Sequence, residues 1–298
     1  MKAKRKYLYL SGTICACFLL LVFFYLCFFG PLFPYCPIKF GFDAIRQDRF
    51  TLYYPEGSRV FSDHRDIDKL MTEAEQFHKL TFKKHLRIVV CASAEQYKRF
   101  SMGGGHACTI QTGTVIYIAP SLWETAYPPE LVMNGEKLDL LSPVQKGPRP
   151  VMEFLKHELS HAILYQNTSL LKAVKINTWL EEGLAVYFGN RNHYYQGKDL
   201  RLLAVEQDNF FNIFDDEAMP PHIQKEILHT FRYGIFCAFV DYLITTYTLD
   251  AVLHFVHDYI QMPDQEEALF HAHFGTTEEE ALGQFQNTVV TGMKESLP

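Results

Sequence analysis

The sequence predicts an α+β protein of two lobes, a small one built on a mixed sheet and a helical one after it, carried behind a single transmembrane helix. Three observations predict this. Residues 8–29 form an uncharged run, residues 49–119 alternate short strand-like and helix-like patterns, and residues 151–290 carry helical periodicity through most of their length. A chain of 298 residues with 48% hydrophobic and 21% charged content is long enough to bury a full core.

The run at 8–29, LYLSGTICACFLLLVFFYLCFF, counts 22 residues. As a helix it spans roughly 33 Å, enough for the hydrocarbon layer of a bilayer. Lys2, Lys4, Arg5 and Lys6 lie just before or beside its start, whereas the fifteen residues after it carry only Lys39 and Asp43. By the positive-inside tendency residues 1–7 are a cytoplasmic tail and everything after residue 30 is extracytoplasmic, giving a single-pass membrane protein. A cleaved signal peptide would have a shorter apolar core, about 7–15 residues, and a small-residue cleavage site that CFFGPLFPYCP does not supply. Gly30, Pro31, Pro34 and Pro37 make residues 30–48 a short stiff linker. The net charge of −6, with no basic cluster beyond the N-terminus, argues against nucleic acid as a partner. Seven cysteines show no CxxC spacing, so a cysteine zinc site is not indicated.

Residues 49–150 read as a small αβ lobe. RFTLYYPEG alternates as a strand, 63–83 is a helix with Ile67, Leu70, Met71, Ala74 and Phe77 on one face, and LRIVVCA is a short buried strand. Ser93 caps a helix through SAEQYKRFS, and strands follow at 107–111 and 114–119, joined at Thr112-Gly113. The second of these, TVIYIAP, is expected at the sheet edge, where its open backbone groups would pair with an extended peptide. Gly103, Gly104 and Gly105 lack the Lys-Ser/Thr of a phosphate loop and read as a turn. Residues 121–150 hold five prolines and little periodicity, and read as a long loop framing whatever site the next helix carries.

That next helix, VMEFLKHELSHAILYQ at 151–166, contains His157-Glu158-x-x-His161. Residues four apart on a helix lie about 40° apart around its axis, so the imidazoles project side by side, as a zinc ion requires. Glu158 stands beside them, where a general base takes a proton from water at the metal. With 13 His and at most 34 acidic residues, random placement gives on the order of 0.06 such patterns per chain. Met152, Leu155, Leu159, Ala162 and Ile163 make an apolar stripe, which places the motif on a central helix rather than on a solvated one. A catalytic zinc site takes a third protein ligand. TWLEEGLAVYFG begins a second helix at Thr178, its expected N-cap, and ends at Gly189. Glu181 and Glu182 point about 100° apart, so only one faces the histidines. The spacing leaves the choice open.

These segments resemble the gluzincin zinc metallopeptidases, the peptidase MA-like group related to the thermolysin and M1 aminopeptidase families. The likeness rests on HELSH at 157–161, WLEEGLAVYF at 179–188, and, more softly, RYGIFCAFVDYL and FGTTEEEALGQF in the C-terminal third. It implies a thermolysin-like two-lobed zincin with residues 151–298 forming the zinc-binding helices and a helical C-terminal lobe. It also implies zinc held by His157, His161 and Glu182, the glutamate directly before Gly183, with Glu158 as catalytic base and Tyr233 as the phenol that steadies the oxyanion. Two positions depart from the pattern. GGGHACTIQTG lacks the G-x-M-E-N motif that captures a substrate amine in the aminopeptidases, so amino-terminal trimming is not expected. Val186 stands where thermolysin-like enzymes have an aspartate that orients a histidine. The expectation is a membrane-anchored zinc endopeptidase acting on peptide or protein substrates. Its rival is a catalytically inactive gluzincin-fold binding module at the membrane.

Overall fold

The computed structural model describes residues 2–30, 32–36, 39–57, 65–101, 107–120, 131–133, 136–138, 151–189, 204–205, 209–225 and 227–294. The Gly103–105 turn and most of residues 121–150 lie outside this set. The fold is α+β. The first helix, α1 (Lys2–Phe29), is among the described residues the one helix that by itself is long and apolar enough to cross a membrane. Ile14, Phe18 and Leu21 on it are all more than 60% exposed, an arrangement that leaves apolar surface facing outward where a bilayer would cover it.

The stretch read as a linker is instead part of the folded body. Phe33–Tyr35 forms one 3-10 turn in which Phe33 is buried, its ring stacked 4.7 Å from Phe100 and 4.8 Å from Phe42. Tyr35 shares a 2.9 Å hydrogen bond with Thr114, and the Lys39 ammonium lies 4.9 Å from the Phe33 ring. Pro34 stiffens this turn, but its aromatic side chains decide where it goes, because rings of this size are buried wherever a partner surface exists.

Strand β1 (Phe42–Arg46) opens a five-stranded sheet with β2 (Phe50–Pro55). Helix α2 (Arg65–His78) crosses to β3 (Leu86–Val90), and α3 (Ala94–Ser101) precedes β4 (Ala107–Thr109) and β5 (Val115–Ile118). Ser93 caps α3 as expected, receiving the Gln96 amide at 3.1 Å, while Gln96 Oε1 accepts the Ala92 amide. The sheet order is β1-β2-β3-β5-β4, parallel across β2/β3 and β3/β5 and antiparallel at both ends. The expected edge position of TVIYIAP is therefore corrected: β5 is internal and the short β4 is the edge. All four β5 side chains are buried, as an internal strand with both faces covered demands. Within 121–150, Leu131–Met133 (β6) and Glu136–Leu138 (β7) pair as a small antiparallel hairpin.

Alternation along β3 and β5 gives the sheet two covered faces. Ile88, Val90, Ile116 and Ile118 meet α2 and the next helix, α4 (Val151–Gln166), through Ile67, Met71, Leu155, Leu159 and Ala162. Val89, Val115 and Tyr117 meet α3 and the Phe33 turn on the opposite face. Beyond α4 come α5 (Leu170–Ala173), α6 (Thr178–Gly189), α7 (Leu228–Tyr247), α8 (Leu249–Tyr259), α9 (Glu266–Phe274) and α10 (Glu278–Lys294). Their apolar faces share a second core around Trp179, Leu184, Phe231, Phe236, Phe239, Phe255 and Phe270. Thr277 and Glu280 form a reciprocal capping box at the start of α10.

The Asn167-Thr168-Ser169 sequon sits between these cores. Asn167 is buried, and its amide nitrogen donates to the carbonyls of Thr81 and Ile163 at 2.9 and 2.8 Å. A glycan on that nitrogen is incompatible with this fold.

Candidate metal centre

Helix α4 lies between the two cores, with Leu155, Leu159 and Ala162 toward the sheet and Leu164 and Tyr165 toward the helical lobe. That double burial explains its apolar sequence, and in the middle of the helix it encloses the polar residues His157, Glu158, Ser160 and His161. Ser160 is bonded to His78 Nε2 of α2 at 2.9 Å, while the other three project toward α6 and β4.

Helix α6 starts one residue earlier than an N-cap at Thr178 would imply. Thr178 is already helical, and Asn177 precedes it, pinned by a hydrogen bond from its backbone N–H to the Tyr259 hydroxyl at 2.9 Å and from its side-chain nitrogen to the Phe214 carbonyl at 2.8 Å. Trp179 Nε1 donates to Glu266 Oε1 at 2.8 Å. The start of the helix is thus held by α8 and α9, and two close approaches set its rotation and depth. A Cβ on Gly183 would lie 2.8 Å from Val240 Cγ2 and 2.9 Å from the Phe236 carbonyl oxygen of α7. A Cβ on Gly189 would lie 2.6 Å from the His157 backbone nitrogen. Only glycine admits such contacts, so α6 is wedged between α7 and the histidine turn of α4.

This wedging settles which acidic side chain faces the imidazoles. Glu182 Oε2 lies 3.2 Å from His157 Nε2 and 3.6 Å from His161 Nε2, and the two Nε2 atoms are 3.1 Å apart. Glu181 turns away and its Oε2 accepts the Tyr165 hydroxyl at 2.7 Å. His157, His161 and Glu182 form the one group among the described residues whose ligand atoms converge in this way. Tetrahedral zinc with bonds of 2.0–2.1 Å sets its ligand atoms about 3.3–3.4 Å apart. The three observed separations bracket that value, and two neutral imidazoles with one carboxylate are a donor set zinc accepts. The residues fit the ion.

The electrostatics agree with the geometry. Burial pushes the Glu182 carboxyl upward, but the facing His161 and His157 override it and hold the group well below the usual carboxylate range. Burial likewise opposes a charge on His161, and the Glu182 carboxylate outweighs it, raising the imidazole to about 9. Without a metal the cluster holds a proton between carboxylate and imidazole; a cation entering it displaces that proton. Burial, with the Glu182 carboxylate adding to it, pushes the Glu181 carboxyl up to about 7.

Three neighbours complete the cluster. Tyr233 reaches it from α7, and its hydroxyl donates to Glu182 Oε1 at 2.9 Å. Tyr165, one turn beyond His161 on α4, stacks on that imidazole with ring centres 6.0 Å apart and planes 20° apart. Thr109, at the end of β4, donates from Oγ1 to Glu158 Oε2 at 2.7 Å and approaches the Glu158 carbonyl at 3.0 Å. Sequence reasoning found Tyr233 through the family likeness but missed Tyr165 and Thr109. The i+4 spacing of Tyr165 from His161 was a readable signal; nothing local marks Thr109. His254 and His257 do not form a second metal pair: His254 is exposed, and His257 Nε2 is bonded to the His78 carbonyl at 2.8 Å.

No family model and no curated protein matches the sequence. Among solved structures, the chain is similar to a two-domain M1 zinc metallopeptidase in a mutant form bound to L-arginine, at 11% identity and a TM-score of 0.45. It is also similar to a mutant form of a two-domain M1 zinc metallopeptidase bound to L-tryptophan, at 12% identity and a TM-score of 0.43. Each match covers 82% of this chain, which spans about half, 50%, of the matched chains.

Proposed function

We propose that this chain is a membrane-anchored zinc endopeptidase with a gluzincin site, α1 seated in the bilayer and the remainder extracytoplasmic. The observation that carries the reading is the meeting of His157 Nε2, His161 Nε2 and Glu182 Oε2 at the edge lengths of a zinc tetrahedron, on a helix that also presents Glu158. A zinc ion bound there supplies Lewis acidity, polarising the scissile carbonyl and making a water molecule acidic enough to deprotonate near neutral pH. Glu158 takes that proton and delivers it to the departing amine, a transfer that accounts for roughly 100- to 10,000-fold in rate in enzymes that use it. Tyr233 exchanges its bond to Glu182 for one to the oxyanion, and a donor so placed contributes roughly 3 kcal/mol. The substrate of such a site is a peptide or protein.

The test uses the full chain in detergent micelles. Metal analysis is expected to give one zinc per chain in the wild type and in Glu158→Gln, and close to none in Glu182→Ala. Digestion of a mixed peptide library is expected from the wild type and not from Glu158→Gln. Zinc without hydrolysis in the wild type points to a binding module of the same fold, and a zinc-free wild type removes the reading altogether.

A further inference from the structure

We propose that Thr109 is a positioning residue for Glu158, fixing which carboxylate oxygen faces the proton to be moved; this rests on the peptidase reading of the site. Thr109 is buried at the end of the edge strand, paired with Ile116 of β5. Its Oγ1 lies 2.7 Å from Glu158 Oε2 and 3.0 Å from the Glu158 carbonyl oxygen. The single hydroxyl proton is shared between two acceptors of one residue on the second turn of α4, with the shorter contact to the carboxylate oxygen.

A glutamate side chain has three rotatable bonds, and a base is effective only within hydrogen-bond reach and line of its proton. Here the histidines flanking it in sequence are turned to Glu182, and the bond to the Glu158 carboxylate comes from Thr109 on the sheet. The sheet supplies the restraint instead. With Oε2 engaged by Thr109, proton transfer falls to Oε1, and the carboxylate turns as a unit with the strand rather than with solvent. The family likeness named no residue for this work, and the edge strand in which Thr109 sits lacks the family's amine-capturing motif.

Two variants test the idea on the full chain. Thr109→Val keeps the shape and removes the hydroxyl; Thr109→Ser keeps the hydroxyl and removes the methyl. Expected for Thr109→Val is a kcat lower by roughly ten- to a hundred-fold with KM within about two-fold and zinc content unchanged, the pattern of a contact that matters at the transition state. Thr109→Ser is expected to restore most of it. A readout without turnover is the position of Glu158 in crystal structures of the two variants: ordered as here in Thr109→Ser, and spread over more than one rotamer in Thr109→Val. A wild type that binds zinc but cleaves nothing, combined with that structural difference, defeats the peptidase reading and leaves the positioning role intact. An unmoved Glu158 in Thr109→Val, or a kcat equal to wild type in an active enzyme, overturns the proposal.

Discussion

At the scale of single residues, the site is governed by which polar atoms are denied water. His157 and His161 are buried with their Nε2 atoms converging on Glu182, so each variant of the three removes a partner that nothing nearby replaces. His161→Ala is expected to lower zinc affinity by at least a hundred-fold, measured by competition with a chromophoric chelator, because a two-ligand site holds the ion far less well. Deeper behind the same helix lies His78, whose imidazole burial, with positive charge at His161 and His257 adding to it, pushes down to about 3. Its ordinary value, 6.5, is that of the unfolded chain. Above pH 6.5 both states are neutral there and its contribution to stability is intact. As pH falls from 6.5 toward 3 only the unfolded chain takes up the proton, so stability drains at about 1.4 kcal/mol per pH unit. Urea denaturation at pH 7 and pH 5 is expected to show this loss in the wild type and a shallower one in His78→Leu. At this scale the sequence was most legible where ligands are close in the chain. Two histidines four apart on one helix need no tertiary knowledge, whereas the selection of Glu182 over Glu181 depends on rotation of α6, which only its packing partners determine. Thr109 was invisible because it is 49 positions from the carboxylate it touches.

At the scale of elements, the decisive part is the wedge of α6. Gly183 against Val240 and Phe236, and Gly189 against His157, are contacts in which one methyl group has no room. Gly183→Ala is expected to destabilise the fold by about 1–3 kcal/mol through overpacking and to push α6 off α7. Because that shift moves Glu182 away from the histidines, zinc affinity falls in the same variant, and titration of zinc beside a denaturation curve measures both effects. The glycine of the WLEEG segment thus has a steric reason of its own. The misplaced edge strand shows the converse. VIYI is apolar at every position, the signature of a strand covered on both faces, and ACT is short and partly polar, the signature of an edge. Hairpin connectivity was legible; which of its arms joined the parallel strands was written in that contrast of composition rather than in the turn. The missing strand β1, in the presumed linker, was hidden because FDAIR has weak alternation and gains its place only by pairing with β2.

At the scale of the whole molecule, the sheet separates two attachments. One face carries α4 and its histidines, the other the Phe33 turn that continues from α1. Phe33→Ala is expected to cost about 3–5 kcal/mol, as deletion of a buried phenyl ring does, and to lower the thermal midpoint of the folded body without changing zinc stoichiometry. A chain beginning at residue 40 is expected to suffer the same loss. The division into an apolar N-terminal helix and a folded body was readable from composition alone, and the manner of their joining was not, since it depends on three rings, Phe33, Phe42 and the distant Phe100, coming together.

Such a joint removes the slack that a flexible stalk provides. Were α1 seated in a bilayer, the helix bearing His157 and His161 would be carried on the face of the sheet opposite the Phe33 turn, at a set altitude above the membrane. Encounters would then depend on what drifts past at that altitude, with lateral diffusion in the membrane, rather than reach, setting how often those histidines are met.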